Sequence, residues 1–313
     1  MPHRSAYAIV ALLVSLGCAQ AQTPAATAPG FDGARAHEHV RQLVALGPRV
    51  AGTPGAKQTR DYISNQMKLL GLPVEEQPFE GATPIGPVKM VNLRVMIPGG
   101  GGSSTDASTS SGQDRLIIAG HYDTKRFREF TFVGASDGGS STAFLIEIAR
   151  ALKSRKNALP IELLFLDGEE AVGEWQGTDH TYGSRYYVEA ARKSGTVSRI
   201  QAFILVDMIG DRNLTISRES KSTTWLTDII WATARRLNRR EFLDGELAIE
   251  DDHVPFLEAG VPAVDIIDFD YPAWHTAGDT LDKVSAGSLQ VVGDVLLAAL
   301  PEIEKRLLEP RSR

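Results

Sequence analysis

Four short apolar runs constrain this chain more than any other feature. Residues 116–119, 161–166, 203–206 and 263–267 are almost continuously aliphatic or aromatic, and each is bounded by polar or turn-forming residues. Runs of that length without regular polar alternation suit strands covered on both faces, which are typical of parallel sheets packed between helices. Amphipathic stretches at 143–152 and 225–237 lie between the runs. Two more come earlier, at 34–46 stopped by Gly47-Pro48 and at 61–70 stopped by Gly71, followed by a strand at 93–97. The expected fold is α/β: a single domain with a central, mostly parallel (mixed) twisted sheet and helices on both faces.

The first residues stand apart from that pattern. His3 and Arg4 precede an apolar stretch too short to span a bilayer, and Ala19-Gln20-Ala21 follows. This is the layout of a secretory signal peptide, residues 1–21, with export to the periplasm or medium as its consequence. Gly17-Cys18 also fits a lipoprotein signal, although Ser15-Leu16 suits that order poorly, so anchoring through Cys18 is the weaker expectation. Cys18 is the only cysteine, so cleavage after Ala21 leaves a chain without disulfide or thiol chemistry. A Thr/Pro/Ala linker, residues 22–30, leads into a catalytic domain expected over 31–313. No transmembrane segment is expected. Residues 99–112 are nearly all Gly, Ser, Thr, Asp and Ala, a composition that buries little and reads as a flexible loop. The net charge of -6 gives no footprint for nucleic acid. The pattern specifies no oligomeric state.

Chemistry gathers where the apolar runs end. The first leads into His121-Tyr122-Asp123, the second into Asp167-Gly168-Glu169-Glu170 and the third into Asp207, while Gly134-Ala135-Ser136-Asp137 opens a helix. Ligands of open α/β sheets bind outside the carboxyl ends of the strands. Each residue has an ordinary explanation taken singly: Asp137 as a helix cap, the glutamates as a solvated helix start, His121 as a hydrogen-bonded structural group. Convergence is what those explanations leave out, because carboxylates crowded together need a cation or shared protons. Histidine with carboxylates suits catalytic zinc, and a glutamate beside a ligand suits proton transfer. His275, after the fourth run, adds a second nitrogen. Trp175 and Trp274 stand beside these groups, as pocket walls or as ordinary core.

Together Gly52-Thr53-Pro54-Gly55, His121, Asp123, Asp137, Glu169-Glu170, Asp207, His275-Thr276 and Asp279 resemble the zinc aminopeptidase superfamily, in order and over nearly the whole chain from about Ala34 to Val284. The stretch from Asp167 through Trp175 and Asp179 to Tyr182-Gly183-Ser184-Arg185, with residues 250–256 and Trp274-His275, is similar to its animal-type glutaminyl-peptide cyclotransferase branch. Peptidases usually reach their Gly-Ser sooner, without the insertion or its tryptophan. The resemblance implies zinc on Asp137, Glu170 and His275, with Glu169 as proton shuttle. It implies Asp251 as hydrogen-bonding partner of the reacting centre, Asp207 in the same network, and Trp175, Ile249 and Trp274 lining a glutamine pocket. Two departures are plain: the cysteine pair of the animal enzymes is absent, and Asp265 stands where they carry histidine.

Two reactions fit these residues. A cyclotransferase would close N-terminal glutamine of peptides or proteins to pyroglutamate with one zinc, leaving His121 and Asp207 outside its ligand shell. An aminopeptidase would use His121 and Asp207 to hold a second zinc and cleave the first peptide bond. The tryptophans and the insertion favour the cyclotransferase. A non-enzymatic binding protein would not be expected to retain Glu169 and every ligand.

Overall fold

The structure is a computed structural model and describes Met1, residues 30–100 and residues 113–309. The expected signal peptide after Met1, almost all of the linker and most of the 99–112 loop lie outside the described residues.

The chain enters through α1 (Gly33–Leu46), started by the Asp32 carboxylate accepting from the Ala34 and Arg35 amides and stopped by Gly47 at φ 82°. Helix α2 (Pro54–Leu69) begins earlier than its apolar periodicity suggests, because Thr53 caps it and Pro54 takes a first-turn position that needs no amide hydrogen. A hairpin of β1 (Val74–Thr83) and β2 (Gly86–Ile97) follows. Then come β3 (Arg115–His121), α3 (Gly139–Ser154), β4 (Ile161–Leu166), α4 (Tyr182–Lys193) and β5 (Ile200–Asp207). A small parallel pair, β6 (Ile216–Glu219) and β7 (Phe242–Leu247), brackets α5 (Thr224–Arg236). The short α6 (Val254–Glu258), β8 (Ala263–Ile267) and α7 (Ala286–Leu308) close the domain.

The main sheet has the order β1-β2-β4-β3-β5-β8. The four strands from β4 to β8 are parallel, and the hairpin adds two antiparallel strands at one side. Within the parallel part the side chains divide cleanly. Leu116, Ile118, Ile161, Leu163 and Phe165 face the layer that contains α1, α3, α5 and α7. Ile117, Ala119, Leu164, Leu166 and Phe203 face Tyr187 and Val188 of α4 and Phe256 of α6. Apolar residues at both phases of a period-two strand make the runs continuous. Helix α7 is long and apolar enough to cross a bilayer, yet it is half buried and packs on α1 and α5 as a core helix.

The two sides of the sheet are finished differently. Among the described residues strand β1 pairs only with β2, and it carries Glu75, Glu76, Pro78 and Glu80. Beyond β8, Thr223 exchanges hydrogen bonds with Ala263 (amide to carbonyl 2.7 Å, amide to hydroxyl 3.0 Å), and Ser222 Oγ accepts from the Asp265 amide at 3.1 Å.

One charged group interrupts the apolar strands far from their carboxyl ends. Glu162 of β4 is fully buried between Arg94 and Arg115, each 2.6 Å from a different carboxylate oxygen, and it also accepts from the Tyr187 hydroxyl. The guanidinium groups hold its carboxyl below the ordinary range against the upward push of burial. Removing one partner of a buried pair leaves uncompensated charge. Glu162→Gln is therefore expected to cost about 3 kcal/mol in urea unfolding. A loss below about 1 kcal/mol would place that cluster among solvated ion pairs instead.

Candidate metal centre

The carboxyl ends of β3, β4 and β5 and the turn before α3 deliver the site. His121 is the last residue of β3 and Asp207 the last of β5. Gly168, at φ 69°, turns the chain after β4 and presents Glu169 and Glu170. Asp137 is not the cap of α3. The cap is Gly138, at φ 70°, with no side-chain hydrogen bond, which leaves the Asp137 carboxylate to point elsewhere. His275 lies in the loop after β8 at φ 52°, a backbone region that histidine tolerates only at a cost.

Asp137 is the centre of the cluster. Its Oδ2 lies 3.4 Å from His275 Nε2, which is 3.2 Å from Glu170 Oε1. Its other oxygen, Oδ1, lies 3.3 Å from His121 Nε2, which is 3.1 Å from Asp207 Oδ1. Two triads thus share one aspartate: Asp137, Glu170 and His275, and His121, Asp137 and Asp207. Ligand atoms about 2.0 Å from a tetrahedral zinc stand roughly 3.3 Å apart, so both sets of separations fit that ion. The unsatisfied atoms agree: Asp137 Oδ2 and Glu170 Oε2 are buried without a hydrogen-bond partner. Burial and the neighbouring Asp137 charge push Glu170 up to about 7, and burial drives Glu169 well above its ordinary range against the pull of His121. A divalent cation at the first triad would relieve both the repulsion and the unmet acceptors.

A scaffold of backbone contacts holds these groups, and this role of its members was not read from the sequence. Arg49 is completely buried and donates to the carbonyls of Tyr122, Val133, Gly134 and Asp137. Asp279 accepts from the Ser136 and Asp137 amides at 2.8 and 3.1 Å and from the Tyr271 hydroxyl. Asp123 accepts from the Glu169 and Glu170 amides at 3.2 and 3.3 Å. Asp123 and Asp279 were legible only as motif members without a role, and nothing local distinguishes Arg49 from other basic residues.

A cavity of about 430 Å³ opens over Asp137, Glu169, Glu170, Asp207 and His275. Trp175, Ile249, Trp274 and Phe269 wall it, and Asp251 lies in it with a buried, unpartnered Oδ2. Trp175 and Trp274 are 38% and 39% exposed, so they are rim rather than core. Trp274 stacks on His275 at 4.3 Å, and Phe127 and Phe132 meet the imidazole edge-on. Phe269 and Lys125 are lining residues that the sequence did not suggest. Asp265, which stands in place of histidine, has both oxygens buried without a hydrogen-bond partner, and His253 Nδ1 lies 3.7 Å from its Oδ2.

Residues 104–300 match Peptidase family M28. The chain belongs to that family. Within it, the similarity points to the glutaminyl-peptide cyclotransferase branch. A glutaminyl-peptide cyclotransferase-like protein of Mus musculus is 32% identical over 294 residues, covering 84% of this chain and 73% of its own length. The crystal structure of a glutaminyl cyclase from an Acidobacteriales bacterium is 38% identical, with a TM-score of 0.81 over 91% of this chain and 99% of that one. That of Porphyromonas gingivalis glutaminyl cyclase is 28% identical, with a TM-score of 0.76 over 87% and 99%. Peptidase-type neighbours share the fold at 24% identity.

Because the site's carboxylates repel one another, metal removal is expected to destabilise the fold as well as stop turnover. Dialysis against a chelator should lower the melting temperature by several degrees, and stoichiometric zinc should restore it. An unchanged melting curve would argue that shared protons, not a cation, hold the cluster.

Proposed function

We propose that this chain is a zinc-dependent glutaminyl-peptide cyclotransferase, closing N-terminal glutamine of peptides and proteins to pyroglutamate with release of ammonia. The observation that carries the reading is a small cavity walled by Trp175 and Trp274 directly above Glu169, in a chain that matches cyclotransferases over most of its length.

The reaction joins two ends of one residue. The α-amine attacks the side-chain amide carbon, a C–N bond forms, the bond to the amide nitrogen breaks, and ammonia leaves. Asp137, Glu170 and His275 would hold zinc, which supplies the positive charge that polarises the amide carbonyl. Glu169 takes the proton from the attacking amine and gives it to the departing nitrogen, a task suited to a carboxylate whose pKa burial has raised. Trp175, Trp274 and Ile249 hold glutamine folded, so that amine and carbonyl meet as neighbours and water is excluded. Asp251 faces the same cavity as a hydrogen-bonding partner for the substrate, and Asp207 lines it as well.

We read the site as holding one zinc. In this reading His121 bridges Asp137 and Asp207 outside the zinc's ligand shell, its Nε2 3.3 and 3.1 Å from their oxygens. The separations around His121 also suit a second ion, the feature of the site's geometry that favours an aminopeptidase.

A paired assay separates the two. Purified protein is given a glutamine-initiated peptide and an aminoacyl chromogenic amide. Ammonia release without chain shortening, one zinc per chain, and a fall of at least about 100-fold in kcat for Glu169→Gln at unchanged melting temperature are expected. Amide cleavage without cyclisation, with two zinc ions, would make it a peptidase.

Residues 1–21 are read as an export signal on their residue order. Mass spectrometry of the exported chain should find a start at Gln22, itself a substrate for this reaction and then one ammonia lighter. Retention of residues 1–21 in the exported protein would sink the signal reading, and a lipid-modified Cys18 would replace it with an anchor.

A further inference from the structure

The loop that carries Trp175 leaves the site at Glu170 and returns to it. Thr181 N–H donates to the Glu169 carbonyl at 2.8 Å, and Tyr182 N–H to that of Gly168 at 2.7 Å. Asp179 closes the loop from inside, accepting from the Val172 and Gly173 amides and from the Tyr182 hydroxyl. The residue between these two anchors is His180. It is 3% exposed, although it belongs to neither metal triad. Its ring lies face to face with Trp175, centroids 4.3 Å apart and planes within 9°. Its Nδ1 is 3.1 Å from the Thr181 hydroxyl. Its Nε2 faces the Glu250 carboxylate at 3.9 Å, beyond a direct hydrogen bond but within ion-pair reach.

Those contacts join two walls. Trp175 belongs to the loop after Glu170, while Glu250 sits between Ile249 and Asp251 on a separate segment that also lines the cavity. An exposed indole alone would sample several rotamers, and its wall would have no fixed position. Stacked on a buried ring whose backbone hangs from the Glu169 carbonyl, it has one.

We propose that His180 is a positioning residue of the glutamine pocket. It backs the Trp175 indole and spans to Glu250, so that the width of the pocket is set by the same turn that carries Glu169. This rests on the cyclotransferase reading for its substrate, but the geometric part stands without it. His180 touches no reacting atom. Its effect passes through Trp175, so it falls on substrate capture and not on the proton transfer.

The test is a double-mutant cycle on the zinc-loaded full chain, with His180→Ala, Trp175→Ala and the pair. An aromatic stack of this kind corresponds to a change of roughly three- to tenfold. His180→Ala should raise KM for a glutamine-initiated peptide by about that factor, with kcat within about twofold. In the Trp175→Ala background the same change should have almost no further effect. His180→Phe, which keeps a ring under the indole, should recover most of the loss. Acrylamide quenching supplies a reading independent of turnover: emission assigned to Trp175 by subtracting Trp175→Phe should become more accessible in His180→Ala and not in His180→Phe. Unchanged KM and quenching in an active His180→Ala chain would overturn the proposal, as would full additivity of the two alanine changes. If His180→Ala fails to fold, His180→Phe and its quenching carry the test, and a rise in KM there equal to that of Trp175→Ala would overturn it. A wild-type chain that never cyclises glutamine defeats the cyclotransferase reading instead, and the quenching comparison still decides whether His180 holds Trp175.

Discussion

The structure depends on a tolerance for crowded negative charge. Asp123, Asp137, Asp167, Glu169, Glu170, Asp207, Asp251, Asp252 and Asp265 are all buried in one region at the carboxyl ends of the parallel strands. Several are pushed upward in pKa by burial and by one another, Asp167 and Asp252 to about 7. No hydrophobic gain arises from such a cluster, and its repulsion opposes folding. A parallel sheet makes it possible because every strand ends on the same side, so each polar residue after an apolar run arrives at one place. The fold supplies the convergence and the function supplies the reason to keep it.

What controls the cluster is mostly backbone hydrogen bonding. Arg49 brings one guanidinium to four carbonyls, from the end of β3 to the turn before α3, and thereby fixes the chain that carries Asp137. Asp279 approaches the same turn from its amide side. Asp137 is held at its backbone from both directions, which leaves its two carboxylate oxygens free to face different histidines. The separation of roles is clear: charged residues one step behind the site grip the main chain, and the site residues keep their side chains for chemistry.

The parallel strands were legible because their burial on both faces writes itself as continuous apolar runs, and two of the four coincide with the observed bounds. Strand β1 was not legible. Its burial is shallow and its sequence, with Pro78 and three glutamates, has neither the run nor the clean alternation that marks a strand. The β6 and β7 pair is too short to show a period. The site residues came through because motif spacing ties them to strand ends. Arg49 did not, because its partners are carbonyls, and a carbonyl leaves no trace in a side-chain pattern. Nor did His180, whose partner five residues away in a loop follows no periodicity. Asp265 was visible as an oddity, but whether it would find a donor depended on a packing distance that sequence does not contain.

The finish of the sheet edges bears on how these molecules behave in a crowd. A ladder of free amides and carbonyls is an invitation to any other extended chain. On β1 that invitation is withdrawn by a proline that offers no amide and by acidic side chains that repel a second copy carrying the same charges. On β8 it is withdrawn by side chains and backbone of residues 222–223 already in possession of the edge. The substrate of a glutaminyl-peptide cyclotransferase is itself a chain end, able to lie extended. This sheet is built so that such a segment is handled in the cavity and not annealed as an extra strand.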